Sequence, residues 1–225
     1  MTQTISKDRG KTMKPYYQDD YVTIYNCRCE DILGELPKVD LVLTDPPYGI
    51  KRFEKLGNEK SGVYIERLTF KQTGAWNNNK PVKDLLDIIL NKSKKQIIWG
   101  GNNFELPTSE YFFIWDKKQV MPNFAQCEMA WVSQSMHKTA KIFEYDIKKL
   151  NGQQKVHPTE KPIELMRWCI DKADEPQTIL DPFAGSCTTG RAAKDLGRKC
   201  ICIELEEKYC EIGAKRMCQE VMNFK

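Results

Sequence analysis

Asp45, Pro46, Pro47 and Tyr48 are the residues whose types and order point most directly to chemistry. Both prolines have a fixed φ and no backbone N–H, and each drives the residue before it toward an extended conformation. The tetrapeptide is therefore a stiff exit from the apolar run Leu41-Val42-Leu43. It offers a carboxylate, a free carbonyl and an aromatic face. Together these suit a planar base with an exocyclic amine. Asp45 and the Pro46 carbonyl accept the two amine hydrogens, and Tyr48 stacks on the ring. Stacking calls for the ring of Tyr48 and not its hydroxyl. The plainer alternative is a strand-to-loop exit with a solvent-facing tyrosine.

A second block lies at residues 179–189, ILDPFAGSCTT, followed at 201–205 by ICIEL. Ile179-Leu180 reads as a short buried strand ending in Asp181. A turn with Gly185 and the hydroxyl residues Ser186, Thr188 and Thr189 leads into a helix that Gly197 stops. The next strand ends in Glu204. A strand-turn-helix-strand unit with an acid closing its second strand suits a nucleoside cofactor: backbone approaches the ligand at the turn and the acid pairs with ribose hydroxyls. The spacing is neither GxGxxG nor GxxxxGK[ST], which disfavours a dinucleotide and an ATP phosphate loop.

The elements that must position these residues alternate between strand and helix, which predicts a layered α/β domain. Strands are expected at 21–25, 40–44, 96–99, 111–115, 128–132, 179–181 and 200–204. Helices are expected at 29–36, 82–91, 163–173, 190–196 and 206–217. Residues 1–15 are polar and read as a flexible arm, leaving 16–225 as one domain. Two segments, 51–80 and 133–156, lack a core-forming period and read as insertions; the second is rich in lysine.

The chain has 225 residues, 40% of them apolar, which is enough for one α/β core. The net charge of +4, from 35 basic and 31 acidic residues, is a mild bias compatible with nucleic acid. The nine cysteines are an odd number and no apolar run approaches a membrane span, so they read as reduced thiols of a cytoplasmic protein. Cys27/Cys29 and Cys200/Cys202 are each two apart, which in a strand places both side chains on one face, packed in the core. CxxC spacing is missing, and no metal is expected.

TDPPYGI (44–50), HPTEKPIEL (157–165) and DPFAGSCTT (181–189) resemble the three motifs of the β-class amino-methyltransferases of DNA, the N6/N4 methylase family. The resemblance runs from about Tyr25 to about Arg216. It implies a three-layer, Rossmann-like fold dependent on S-adenosylmethionine. The sheet would have seven strands, mostly parallel with one antiparallel, and would be circularly permuted so that the catalytic motif precedes the cofactor motif. It implies catalysis by Asp45, Pro46, Pro47 and Tyr48. It implies cofactor contacts at Asp181, Phe183, Ala184, Gly185, Thr188 and Glu204, with Thr159 and Lys161 from the middle motif. DNA is the implied partner, and a homodimer is the family's habit; Lys138 and Lys141 are candidate DNA contacts because their segment is basic, the alternative being a solvated face. An aspartate heading the tetrapeptide is typical of enzymes acting on adenine N6. The alternatives are cytosine N4, an RNA base, or a methyltransferase-like fold kept for binding DNA with little turnover.

Two positions depart from the family pattern. Cys187 stands where glycine is usual, which costs strain if that residue has a positive φ. Cys27-Arg28 stands where Gly-Asp is usual, and Arg28 cannot accept the hydrogen bonds of the cofactor's adenine.

Overall fold

The computed structural model of the protein describes residues 13–48, 81, 83–120, 124–147 and 160–219. In chain order they form β1 (Tyr17–Gln18), β2 (Val22–Asn26), α1 (Cys29–Ile32), β3 (Leu41–Thr44), α2 (Lys83–Leu90), β4 (Lys95–Trp99), β5 (Phe112–Asp116), β6 (Cys127–Val132), β7 (Lys141–Glu144), α3 (Ile163–Asp171), β8 (Thr178–Asp181), α4 (Thr188–Asp195), β9 (Lys199–Glu204) and α5 (Glu207–Met217). The expectations for residues 1–12, for 51–80, for 148–156 and for Thr159 lie outside the described residues.

The central strands are apolar on both faces, as buried parallel strands must be. All four residues of β3 are buried. The period of two sorts them: Leu41 and Leu43 join one apolar cluster and Val42 the other. Ile179 and Leu180 of β8 divide in the same way, as do Cys202 and Ile203 of β9. One cluster takes Leu165, Met166, Cys169 and Ile170 of α3, Ala192 and Ala193 of α4, and Cys210 and Met217 of α5. The other takes Cys29 and Ile32 of α1 with Leu85 and Ile89 of α2. The result is the expected three layers, helix on sheet on helix.

The strands run in the order β1-β2-β9-β8-β3-β4-β6-β5-β7. The inner seven match the expected sheet, with β6 antiparallel to both β4 and β5. Two short strands extend it to nine. β1 pairs antiparallel with β2, and β7 pairs parallel with β5. Residues 141–144, part of the segment read as an insertion, are thus an edge strand of the sheet. Cys200 and Cys202 share a face of β9, their sulfurs 3.7 Å apart. Cys29 instead opens α1, so the strand spacing argument does not extend to Cys27 and Cys29.

Cys187 sits at the entrance to α4 with φ +57, in the left-handed region, and is fully buried. Its side chain fills space left by a glycine on α5: a Cβ on Gly213 would lie 2.6 Å from the Cys187 sulfur. Gly213→Ala should therefore lower unfolding free energy by about 1–3 kcal/mol through overpacking. Adding Cys187→Gly to that variant should recover most of the loss, as contacting residues couple in a double-mutant cycle. Urea unfolding of the two single variants and the double variant reads the coupling. Additive losses would show that the two side chains do not compete for one space.

Candidate active site

β9, β8, β3 and β4 are parallel neighbours, so their carboxyl ends lie side by side on one edge of the sheet. Glu204 ends β9, Asp181 ends β8, and Asp45 follows β3. Open α/β sheets bind ligands at this edge. The two motifs are fastened there by a buried hydrogen bond from the Thr44 hydroxyl to Asp181 Oδ1, 2.7 Å long and spanning 137 positions of sequence.

Asp45 leaves β3 partly buried, and Pro46 is buried behind it. The Tyr48 hydroxyl donates a 2.5 Å hydrogen bond to Asp45 Oδ1. The hydroxyl thus has a task beyond the stacking read from sequence: it orients the carboxylate. The Tyr48 ring lies over Gly100, which follows β4 with φ +65, and a Cβ there would overlap the ring. Gly100 is therefore part of the site, since only a residue without a side chain lets the ring down onto the strand end. Phe104 meets Tyr48 edge-on, ring centres 6.2 Å apart.

Lys161 enters from the segment that precedes α3. Its side chain is 7% exposed, and its ammonium pairs with Asp45 Oδ2 and lies 3.1 Å from Glu128 Oε2. Glu128 also takes the Lys117 ammonium at 2.5 Å. Lys161, placed among the cofactor residues by resemblance, is here an ion-pair partner of Asp45. Burial alone would raise the Glu128 carboxyl, yet Lys161 and Lys117 outweigh it and hold it down at about 2. Burial pushes the Asp45 carboxyl up; Lys161 opposes this and Glu128 adds to it. Burial works against the charge on Lys161, but the two carboxylates hold it above its ordinary value.

At the second motif, Glu204 accepts the Gly185 N–H on Oε2 and the Glu206 N–H on Oε1, each at 2.8 Å. The loop is shaped by positive φ at both Gly185 and Cys187. Ala184 N–H donates to the Ile203 carbonyl at 2.9 Å, tying the loop to β9. Phe183 and Gly185 are partly exposed at the mouth, whereas Asp181, Ala184 and Thr188 are buried. Burial raises the Asp181 carboxyl to about 6, against hydrogen bonds from Thr189, Thr44 and the Phe183 N–H. Arg216 of α5 clamps the loop: it reaches Thr188 Oγ1 at 3.0 Å, Ser186 at 3.4 Å and Glu160. Glu160 adjoins Lys161, so one guanidinium joins the cofactor loop to the segment carrying the Asp45 partner. Arg28 is exposed and pairs with Glu30 at 2.9 Å, which occupies one of the two acids nearest it.

Lys138 and Lys141 are not brought to this edge. Lys138 pairs at 2.5 Å with Asp174, which also binds Lys95 at the start of β4. Lys141 begins β7 opposite Phe113, near the start of β5. Both lie at the amino ends of the parallel strands, a strand length from Asp45. Glu128, Lys117, Gly100 and Arg216 belong to the edge, and reasoning from sequence did not select them. A buried-looking strand interrupted by Glu128 was the one local signal.

Gly100→Ala should leave the fold intact yet displace the Tyr48 ring and cut turnover about tenfold or more, comparable with loss of one stacked base contact. Normal activity in this variant would place the ring elsewhere. Asp181 gives a stability test. An acid raised by folding contributes stability that is full below its unfolded value near 3.8 and is lost as pH rises through about 6. Asp181→Asn escapes that loss. It should be more stable than the parent at pH 8, on the order of 2–3 kcal/mol, with the gap closing toward pH 4. Thermal melts across that range read the effect, and a pH-independent gap would refute it.

The family profile described as DNA methylase, for N6 and N4 enzymes, matches residues 56–215. The type II methyltransferase M.HinfI of Haemophilus influenzae is 28% identical over 260 residues, covering 91% of this chain and 70% of that protein. The type II methyltransferase M2.MboI of Moraxella bovis is 28% identical, with 91% of each covered. Among solved structures, the M1.HpyAVI–SAM complex superposes with a TM-score of 0.56 at 22% identity, covering 87% of this chain and 99% of that one. The cytosine-N4-specific PvuII DNA methyltransferase superposes with a TM-score of 0.58 at 18% identity, covering 93% and 91%. These structures share the fold of the present sheet. With well over half of its length matched by the profile, the chain belongs to the N6/N4 family of DNA methylases.

Proposed function

We propose that the protein is a site-specific DNA methyltransferase that places the methyl group of S-adenosylmethionine on the N6 amine of an adenine flipped out of the duplex. The observation that carries this reading is the placement of Asp45 and Tyr48 one hydrogen bond away from the strand end of the cofactor loop. The residues fit the cofactor chemically. Each Glu204 oxygen takes one backbone N–H and keeps a lone pair, which suits the two ribose hydroxyls. Phe183 offers an apolar surface at the mouth, and Asp181 can accept from the ammonium end. When bound, the cofactor supplies a methyl activated by a sulfonium.

The chain's own residues do the rest by positioning. Asp45 and the Pro46 carbonyl each accept one hydrogen of the target amine. That draws the nitrogen toward tetrahedral geometry and frees its lone pair from the ring; after transfer the methylated nitrogen loses its surplus proton along its hydrogen bond to Asp45 and on to solvent. Tyr48 holds the ring flat by stacking, and its hydroxyl fixes Asp45. Inside a duplex the amine cannot be presented in this way, so the base must leave the stack.

Of the two candidate segments, 51–80 is flanked by residues of the functional edge, and 133–156 begins at the remote edge and crosses to the functional edge through β7. Residues 49–80 leave from Tyr48 and return to the start of α2. That helix runs back toward the opposite edge, where the Lys92 carbonyl receives the Val39 N–H. Residues 148–159 leave beyond the carboxyl end of β7 and return at Glu160. We place the recognition of sequence in these two segments and not in Lys138 and Lys141. No helix among the described residues is long and apolar enough to cross a membrane. The nine cysteines are free thiols, in keeping with a reducing cytoplasm.

Adenine is favoured over cytosine by the aspartate heading the tetrapeptide. The relative YhdJ of Escherichia coli, named a DNA adenine methyltransferase, is 26% identical over 83% of this chain. DNA incubated with protein and cofactor, digested to nucleosides and resolved by mass spectrometry, should contain N6-methyl-2′-deoxyadenosine. N4-methyl-2′-deoxycytidine would transfer the reading to cytosine, and no product would leave a DNA-binding protein. Asp45→Ala should lower the rate by about 10²-fold or more while the protein still melts cooperatively.

A further inference from the structure

Lys161 is shared between two acids. Its ammonium touches Asp45 Oδ2 on one side and Glu128 Oε2 on the other, and Glu128 is itself held by Lys117. Only Asp45 has a place in the reaction as proposed. Glu128 stands on β6, the antiparallel strand, and for that reason the beginning of the strand, not its end, reaches the functional edge. The group has two ammoniums and two carboxylates, with side chains 7–26% exposed. A pair composed of Asp45 and Lys161 alone would already balance charge, so the Glu128–Lys117 pair is an addition that neutrality does not require.

The consequence lies in how strongly Asp45 accepts hydrogen bonds. Oδ1 receives the Tyr48 hydroxyl and Oδ2 the Lys161 ammonium. Each oxygen keeps a lone pair, so one amine hydrogen can still be accepted. A carboxylate that carries the full attraction of an ammonium is a weaker acceptor toward anything else. Glu128 divides that attraction.

Building on the proposed methyl transfer, we infer that Glu128 is a positioning residue: it draws the Lys161 ammonium partly to itself and so leaves Asp45 a strong acceptor for the target amine. Lys117 sets how far the draw goes, because it competes with Lys161 for Glu128. The groups facing Asp45 are then Tyr48 from its own exit, Lys161 from the start of α3, Glu128 from β6 and Asp181 from β8, with Lys117 behind Glu128. Each changes its basicity in a known direction. Loss of Glu128 removes a negative neighbour and makes Asp45 less basic. Loss of Lys161 removes a positive one and makes Asp45 more basic. Loss of Lys117 frees Glu128 to hold Lys161 harder and also makes Asp45 more basic.

The test is the pH profile of single-turnover methylation, with cofactor and DNA both saturating so that ionisation of Asp181 does not enter through cofactor affinity. Activity falls on the acid side as Asp45 takes up a proton. Glu128→Gln keeps the shape of the side chain. It should lower the rate about tenfold with little change in the KM for either substrate, and it should move the acid limb to lower pH. Lys117→Met and Lys161→Met should each move the limb to higher pH. Opposite shifts from Glu128→Gln and Lys117→Met support the role. A slowed Glu128→Gln enzyme with an unmoved limb, or shifts in the same direction, would reduce Glu128 to a structural residue, and an unchanged rate would overturn the proposal outright. Cooperative thermal melts guard against misfolding. If the parent protein itself makes no methylated base, the proposed reaction fails, which is distinct from failure of the Glu128 role.

Discussion

An ammonium on a side chain only 7% exposed cannot stand alone, because removing a charge from water costs several kcal/mol unless partners replace the solvent. Lys161 is in that position, and the surrounding structure follows from it. Two carboxylates must approach from different strands, a second lysine must balance the second carboxylate, and an aromatic wall must keep water out. The Trp99 ring, fully buried at the end of β4, provides part of that wall, with its centre 6.0 Å from the ammonium. A buried ion cluster is weak evidence of stability, since apolar residues of similar size often hold a fold as well. Its presence at the exit of β3 is better explained by the need to keep a carboxylate ready in one orientation.

Strand polarity does much of the remaining positioning. Four parallel neighbours bring their carboxyl ends together, so residues far apart in sequence meet without long loops. β6 contributes because it runs the other way. The cofactor loop is held from behind as well as from beside. Glu204 draws its backbone toward β9, and Arg216 fastens its hydroxyl residues to the segment in front of α3. The site is therefore built on sheet and helix, with Gly100, Gly185 and Cys187 absorbing the sharp backbone changes at the strand ends.

Much of this is legible in the sequence, and the limits have physical causes. β3, β8 and β9 are short apolar runs ending in an acid, a pattern that depends only on neighbouring residues. The layers follow from the period of two. β7 is harder, because Lys141-Ile142-Phe143-Glu144 is mostly exposed and is a strand only through the edge that β5 offers it. Gly100 reads as a turn residue in Gly-Gly-Asn-Asn, and its contact with Tyr48 exists only because β4 lies beside β3. The Tyr48 hydroxyl had no assigned partner in sequence, since its bond to Asp45 needs the turn made by two prolines. Lys161 was grouped with the cofactor through its motif, while its contacts in space are with Asp45 and Glu128. Glu128 carries only a weak local mark, an acid on an otherwise apolar strand, because its meaning depends on the direction of β6.

The meeting of the two motifs through adjacent strands makes chain order a free variable. The turn before β8, where Asp174 and Glu175 both have positive φ, lies at the edge remote from chemistry. A backbone opened there would yield two fragments of unlike content. The longer would carry the exit proposed to grip a base, and the shorter would carry the loop and acid proposed to grip a nucleoside. On the proposed function neither would transfer a methyl group by itself, and the hydrogen bond from Thr44 to Asp181 would form only on reassembly. The architecture thus lends itself to a split reporter, in which methylated DNA records that two fused proteins have come together.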